Sequence, residues 1–306
     1  MAAALRGATH SAVRYLTPHV EGVSDSWQKN KVLEGIADSP KARDEMLKAF
    51  DSLTEIAVSI LKMPGAGASD RVIDFAEKTH AWAQISRGVP GVWFNGVLGI
   101  RNSFKEADKT LQLAQLAQSY GGPFVMRDGQ EFCSLTELRL GVASRAFKTL
   151  SQACFTVAFG LCQPLNVPVL IDKLRDRSRF PHALAYPAPL KAIGSGFDWV
   201  MMGKAYFGVV GTGLEMAREG LHFKRGGAYY RPRSEGAFTG AGERLEEFIR
   251  RMTNHICGLL DSAFKGTVYL FKVAHLELVH PIFAVLNVIF NTLSMVFSGI
   301  RTYREL

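Results

Sequence analysis

Apolar positions recur every three to four residues over several stretches of this chain, the period that lines them up on one face of a helix. Ser39-Pro40 supplies a Ser cap with Pro in the first turn. Apolar residues then fall at Met46/Leu47, Phe50, Leu53, Ile56/Ala57 and Ile60/Leu61, which predicts a helix over 40–62. Pro64-Gly65-Ala66-Gly67 ends it, and Ser69-Asp70 opens a second helix carrying Val72, Phe75/Ala76 and Ala83. Pro90-Gly91 breaks the pattern. A third helix follows to Tyr120, with Val97, Ile100, Phe104, Ala107, Leu111 and Ala114 on the stripe expected to be buried, and Gly121-Gly122-Pro123 closes it. Residues 39–122 thus read as a three-helix unit.

The next segment changes period. In residues 123–133, Asp128-Gly129 between short apolar runs signals a short β-hairpin. Ser134-Leu135-Thr136-Glu137 then matches a capping box, in which the Ser and Glu side chains satisfy free amides at a helix start. From Leu150 to Ile171 no charged residue occurs. That is enough helix to cross about 30 Å of hydrocarbon, although Pro164 and Pro168 would kink or end it. A basic connector over 172–191 leads to a second apolar stretch at 196–214, interrupted by Asp198 and Lys204. Residues 134–215 therefore read as a hydrophobic helical hairpin, with Gly208, Gly211 and Gly213 as points of close approach between its arms. Lys204 at bilayer depth would cost about 2.5–3.5 kcal/mol, and less if it snorkels.

Residues 216–240, Gly-rich and basic, read as a linker, and 241–306 as two C-terminal helices. The first is amphipathic, through Leu245, Phe248/Ile249, Met252, Ile256, Leu259/Leu260 and Phe264. The second has no charged residue from Leu278 to Ile300, yet Asn287, Asn291, Ser294 and Ser298 form one polar stripe along it. That stripe suits a helix half in lipid or one packed in a bundle. The fold class read from this order of elements is all-α, a helical bundle around a central hydrophobic hairpin.

Lipid is the environment these runs point to. In the first arm the inserting residues are Leu150, Phe155, Val157, Phe159 and Leu161, then Val169, Leu170 and Ile171. In the second they are Phe197, Trp199 and Val200, then Phe207, Val209, Val210 and Leu214. The last helix would lie at the membrane through Phe283, Leu286, Ile289, Phe290, Leu293 and Phe297. Lys173, Arg175, Arg177 and Arg179, together with Lys224, Arg225, Arg231 and Arg233, flank the apolar runs and are assigned to anionic headgroups, with Tyr229 and Tyr230 at the interface. Arg beside Tyr could also serve nucleic acid, but this position next to apolar runs favours lipid. The alternative is a soluble bundle whose core these runs form, with Lys204 reaching the surface.

Composition agrees with a packed chain: of 306 residues 47% are hydrophobic and 21% charged, with a net charge of +8. This is too polar for a polytopic transporter. Cys133, Cys154, Cys162 and Cys257 show no CxxC and are no disulfide framework. Residues 1–38 have Arg6 and Arg14 before their first acid, Glu21, and lack the apolar core of a cleaved secretory signal. They read as a plain leader, a mitochondrial transit peptide or an uncleaved secretion signal. No motif for catalysis, a cofactor or a metal is found. His275 and His280 are five residues apart, about 140° around a helix, where a zinc pair needs four. The glycines at 194–204 fail the phosphate-loop pattern, and 208–213 lacks the order of a dinucleotide fingerprint.

CSLTELRLGVASRAFKTLSQACFTVAFGLCQPLNVPVLIDKL (133–174), the basic connector and GFDWVMMGKAYFGVVGTGLEMAREG (196–220) together resemble the paired hydrophobic lobes of chlamydial inclusion membrane proteins. PGAGASDRVIDFAEKTHAWAQ (64–84) adds a similar Gly-Ala-Gly turn before a helix. The resemblance implies a type III secreted bacterial protein, inserted by its two lobes into the membrane of a host vacuole. Both ends would face the host cytosol and bind an unidentified protein partner, and no catalytic residue or cofactor transfers. The long connector, Lys204 and the apolar run at 278–300 depart from the pattern, and leave the number of crossings open.

Overall fold

The computed structural model describes residues 40–63, 66–126, 130–174, 187–230, 237–238, 240–276 and 281–305. The fold is all-α, a bundle of packed helices with two very short strand pairs. Helices α1 (Pro40–Leu61), α2 (Asp70–Gly91) and α3 (Leu98–Gln118) come first. The expected break at Pro90-Gly91 is a π-helical segment, Val92–Val97, which carries α2 into α3 without a turn. Strands β1 (Phe124–Val125) and β2 (Glu131–Phe132) pair antiparallel, Phe124 opposite Phe132. The Asp128-Gly129 turn between them lies outside the described residues.

Helix α4 (Leu135–Val157) starts at the expected cap. The Ser134 hydroxyl accepts the Glu137 N–H, while the Glu137 carboxylate accepts the N–H of Cys133, one residue earlier than a standard capping box would. A second π segment, Ala158–Cys162, joins α4 to α5 (Gln163–Leu174). Neither Pro164 nor Pro168 ends the helix. A proline removes the N–H that its i−4 carbonyl needs, and the wider π turn just before Pro164 relieves that conflict there.

The two π segments face each other where the long helices cross. A Cβ on Gly96 would stand 2.7 Å from the Gly160 Cα, so only glycine permits this approach. Beyond the crossing, α3 and α4 run side by side, joined by the hydroxyl pairs Ser103–Thr156 (3.2 Å) and Thr110–Thr149 (3.3 Å).

Short helix α6 (Ala188–Ser195) leads into α7 (Phe197–Lys224), which packs along α4 in the most extensive helix pair of the fold. This is the central hairpin. Helix α7 runs on through residues 216–224, expected as linker, because Arg218, Glu219 and His222 are buried against neighbouring elements. Strands β3 (Tyr229–Tyr230) and β4 (Ala237–Phe238) pair next. Helix α8 (Ala241–Val273) packs between α7 and α9 (Pro281–Glu305), and α9 returns to α1. A small apolar core of Leu113, Phe132 and Leu138 sits under the β1–β2 hairpin, and another of Ala158, Phe159, Met201 and Tyr269 lies at the helix crossing.

Candidate functional site

The helical stripes are where the periodicity puts them, but several face the other way. On α1, Met46, Phe50, Leu53 and Ile60 are exposed, while Asp51, Ser52 and Glu55 are buried. On the continuous α2–α3 rod, Val72, Phe75, Val97, Ile100, Phe104 and Leu111 are exposed, which corrects the expectation of a buried stripe there. Helix α9 is the clearest case. Asn287, Asn291, Ser294 and Ser298 are at most 5% exposed, whereas Ile282, Val285, Ile289, Val296 and Ile300 are at least 36% exposed.

The inward polar groups find partners across α1, α2, α8 and α9. Arg87 Nη1 donates to Asp51 Oδ2 at 2.8 Å, and Lys272 pairs with Glu55 at 2.6 Å. Lys265 Nζ donates to Asn291 Oδ1 at 2.7 Å, the Ser294 hydroxyl donates to Asp261 at 2.6 Å, and Lys48 bridges Asp261 and Ser298. Buried charges need such pairing, since an unpaired one costs several kcal/mol (about 3–5 when a partner is removed). Beside this network a cavity of about 540 Å³ opens among α1, α2, α5, α6, α7 and α8, lined by Asp51, Glu55, Arg87, Asp198, Lys265 and Lys272. His275 also lines it, held at a positive φ of 52° at the end of α8. His280 lies outside the described residues, so the five-residue spacing is all that bears on that pair.

The residues assigned to lipid divide by face. Leu150, Val157, Leu161 and Ile171 on α4 and α5, and Trp199 and Val210 on α7, point outward. Phe159 and Leu170 are turned inward instead, Phe159 edge-on to Phe155 (4.8 Å) and Phe197 (5.6 Å). Val169, Val200, Phe207, Val209 and Leu214 are half-buried between helices. Lys204 is half-buried, its Nζ 4.1 Å from the centre of the Phe155 ring, a cation–π contact between the arms. Gly211 is a close approach, its carbonyl accepting the Ser144 hydroxyl at 2.8 Å, but a side chain at Gly213 would meet open space.

On α9, Phe283, Phe290 and Phe297 turn toward α8, against Phe264 and Phe271, so of the assigned set only Ile289 is fully outward; Leu286 and Leu293 are half-buried. Among the basic residues, Lys173, Lys224 and Arg225 are exposed, and Arg225 stands 3.7 Å from Glu137. Arg175, Arg177, Arg179, Arg231 and Arg233 lie outside the described residues. Tyr229 is not interfacial: it is buried, edge-on to His222 at 5.0 Å.

Two helical stretches among the described residues, Leu135–Leu174 and Ile282–Arg301, are long and apolar enough to cross a membrane. Only 28% and 22% of their apolar windows are buried in the bundle. The arm at 196–214 is not among them.

A second polar cluster gathers where α4 begins and α7 ends. His222 Nδ1 lies 3.1 Å from Glu137 Oε2 and 3.7 Å from Cys133 Sγ, and Nε2 donates to the Ala228 carbonyl at 3.1 Å. A nucleophilic triad needs thiol and carboxylate on opposite ring nitrogens, and here both meet the same one. Burial and the nearby Glu131 and Glu137 carboxylates push the Cys133 thiol up to about 12. Donor atoms of Glu131, Cys133 and His222 lie within 4.8 Å of one another, close enough to hold one metal ion. The sequence reading missed this cluster because His222 is far along the chain; its one local trace is the Glu131-x-Cys133 spacing at a strand end, which puts both on one face. Compared with family models, curated proteins and solved structures, the chain matches none of them.

Proposed function

We propose that this protein is a non-enzymatic, membrane-embedded helical bundle, inserted through residues 150–171, 197–214 and 282–301, that presents helical surfaces to protein partners. The observation that carries the reading is α9, with amides and hydroxyls inside and Ile and Val outside. Water-soluble helices do the reverse, whereas in lipid the apolar face has no reason to hide and polar groups gain by pairing inside. The exposed faces of α4 and α5 support it, through Val157, Leu161 and Ile171. Lys173, Lys224 and Arg225 are available to anionic headgroups.

The α2–α3 rod has a separate task in this reading. Phe75, Trp82, Trp93 and Phe104 are exposed on a rod that also carries Arg71, Asp74, Arg101, Lys105 and Asp108 in the open. Such a mixed surface suits the interface or a protein partner better than hydrocarbon. By its resemblance to inclusion membrane proteins, the chain is assigned to a type III secreted protein of a host vacuole, the rod facing host or bacterial partners. The same mixed rod is what favours the second reading, a soluble helical adaptor whose apolar faces partners cover.

Alkaline carbonate extraction followed by liposome flotation of the full chain tests the proposal. Carbonate-resistant, floating protein supports insertion, and loss of that behaviour in the double variant Val157→Arg, Leu161→Arg assigns it to the first arm. Recovery in the soluble fraction in both assays overturns it in favour of the adaptor.

A further inference from the structure

The polar cluster at the junction of β2, α4 and α7 brings together metal-ligating side chains from distant parts of the chain. With Nε2 committed to the Ala228 carbonyl, His222 turns Nδ1 toward a carboxylate oxygen and a thiol sulfur. Glu131 places its Oε2 on the Ala228 N–H at 2.9 Å, which leaves Oε1 facing Cys133 Sγ at 3.5 Å. Glu137, fully buried, brings Oε2 to the same spot. The Cys133 thiol donates to Glu131 Oε1, and the donor atoms of Glu131, Cys133 and His222 lie within 4.8 Å of one another, with Arg225 3.7 Å from the far oxygen of Glu137.

We propose that this cluster is a zinc site, in which Glu131, Cys133 Sγ and His222 Nδ1 bind the ion and Glu137, which accepts the Cys133 N–H, stands beside it. Zn–S of about 2.3 Å and Zn–N or Zn–O of about 2.0–2.1 Å hold tetrahedral donors roughly 3.3–3.6 Å apart. Cys133 Sγ stands 3.7 Å from His222 Nδ1 and 3.5 Å from Glu131 Oε1, and the three donor atoms lie within 4.8 Å of one another, so small side-chain shifts bring them onto an ion. A thiolate, an imidazole and a carboxylate are a donor set that suits zinc and does not suit magnesium or calcium. Binding releases the Cys133 proton to solvent, and the thiolate then ligates.

The surroundings are built to hold the ligands. The Ala228 carbonyl fixes the His222 tautomer with its proton on Nε2, leaving the Nδ1 lone pair for the metal. Gly227 makes room for the ring, since a Cβ there would collide with it. The Ser134 hydroxyl and the Cys133 N–H hold the Glu137 carboxylate. The ion would staple the β1–β2 hairpin, the start of α4 and the end of α7 together, and would do so whether or not the bundle sits in lipid.

The test uses the full-length, untagged chain, stripped of metal by a chelator and titrated with Co²⁺ and then Zn²⁺. One equivalent of Co²⁺ is expected to give a thiolate-to-cobalt charge-transfer band and intense visible bands of a tetrahedral ion, both bleached by Zn²⁺. Cys133→Ser should remove the charge-transfer band and Cys257→Ser should keep it. Glu137→Gln should weaken Zn²⁺ binding by about 10–100-fold in competition with a chromophoric chelator. X-ray absorption on the zinc-loaded wild type, which needs no variant, should show one sulfur at about 2.3 Å. No charge-transfer band in the wild type, a band that survives Cys133→Ser, or a zinc shell of only nitrogen and oxygen would each overturn the site; the first would leave Glu137 as the hydrogen-bond partner of His222 Nδ1.

Discussion

The α9 region and the β1–β2 end of the molecule bury opposite kinds of residue. Under the hairpin, Leu113, Phe132 and Leu138 form an apolar core, with Phe124 stacked on Phe132 at 5.4 Å. Along α9 Asn287, Asn291, Ser294 and Ser298 are buried, the last three bonded to Lys265, Asp261 and Lys48, while Ile and Val side chains stand outside. The first arrangement is stabilised by removing apolar surface from water. The second adds to the phenylalanine stack between α8 and α9 hydrogen bonds and ion pairs whose strength rises as the local dielectric falls. On the membrane reading proposed above, the contrast assigns the hairpin end to water and the α9 face to hydrocarbon.

Matched substitutions at the two ends probe that contrast most strongly. Val285→Arg and Ile289→Arg on the outer face of α9 should each oppose insertion by about 2.5–3.5 kcal/mol, read as lost carbonate-resistant membrane recovery. Val125→Arg on the hairpin, where the side chain is as exposed as that of Ile289 (46% against 45%), should change stability by no more than about 0.5 kcal/mol. Equal tolerance at both ends would mean that α9 also faces water.

The next effect in size concerns the interior. Glu55→Ala leaves Lys272 without its 2.6 Å partner and should cost about 3 kcal/mol in unfolding experiments. An unchanged midpoint would show that solvent already screens the pair. At the other end, Ser134→Ala removes the cap of α4 and should cost about 1 kcal/mol, with little effect on membrane recovery.

The smallest effect is expected from pH. Burial by itself would raise the Glu247 carboxyl, but hydrogen bonds from Arg250 and Arg251 outweigh it and hold the group at about 2. Its folded value is therefore below an unfolded one of about 4.3, so the stabilisation is present above that pH and is lost as pH falls toward 2. Half exposure of Arg250 keeps the effect modest. Melting temperatures measured from pH 5 to 2 should fall less steeply in Glu247→Gln than in the wild type; identical slopes would remove Glu247 from the account.

Much of the fold could be read from residue order. The Ser134 cap, the 124–132 strand pair and the helical periods depend on neighbours within a few residues, and local chemistry specifies them. Pro90 and Pro164 mark real irregularities, but whether a helix ends or widens into a π segment depends on the Gly96–Gly160 crossing, a contact between distant parts of the chain. Little of the candidate site was legible. Glu131, Cys133, Glu137 and His222 meet because α7 lies antiparallel on α4, which no local pattern records.

The sequence by itself determined the helices, their two-faced character and the positions of the uncharged runs, because period and composition are properties of single segments. Only the tertiary structure decided which face of each helix points inward. A helix with one polar and one apolar stripe can be packed either way round, and the choice rests on partners from other helices. Here Asp51 pairs with Arg87, Glu55 with Lys272, and Asn291, Ser294 and Ser298 bond to Lys265, Asp261 and Lys48, and these inward pairings go with apolar stripes turned outward.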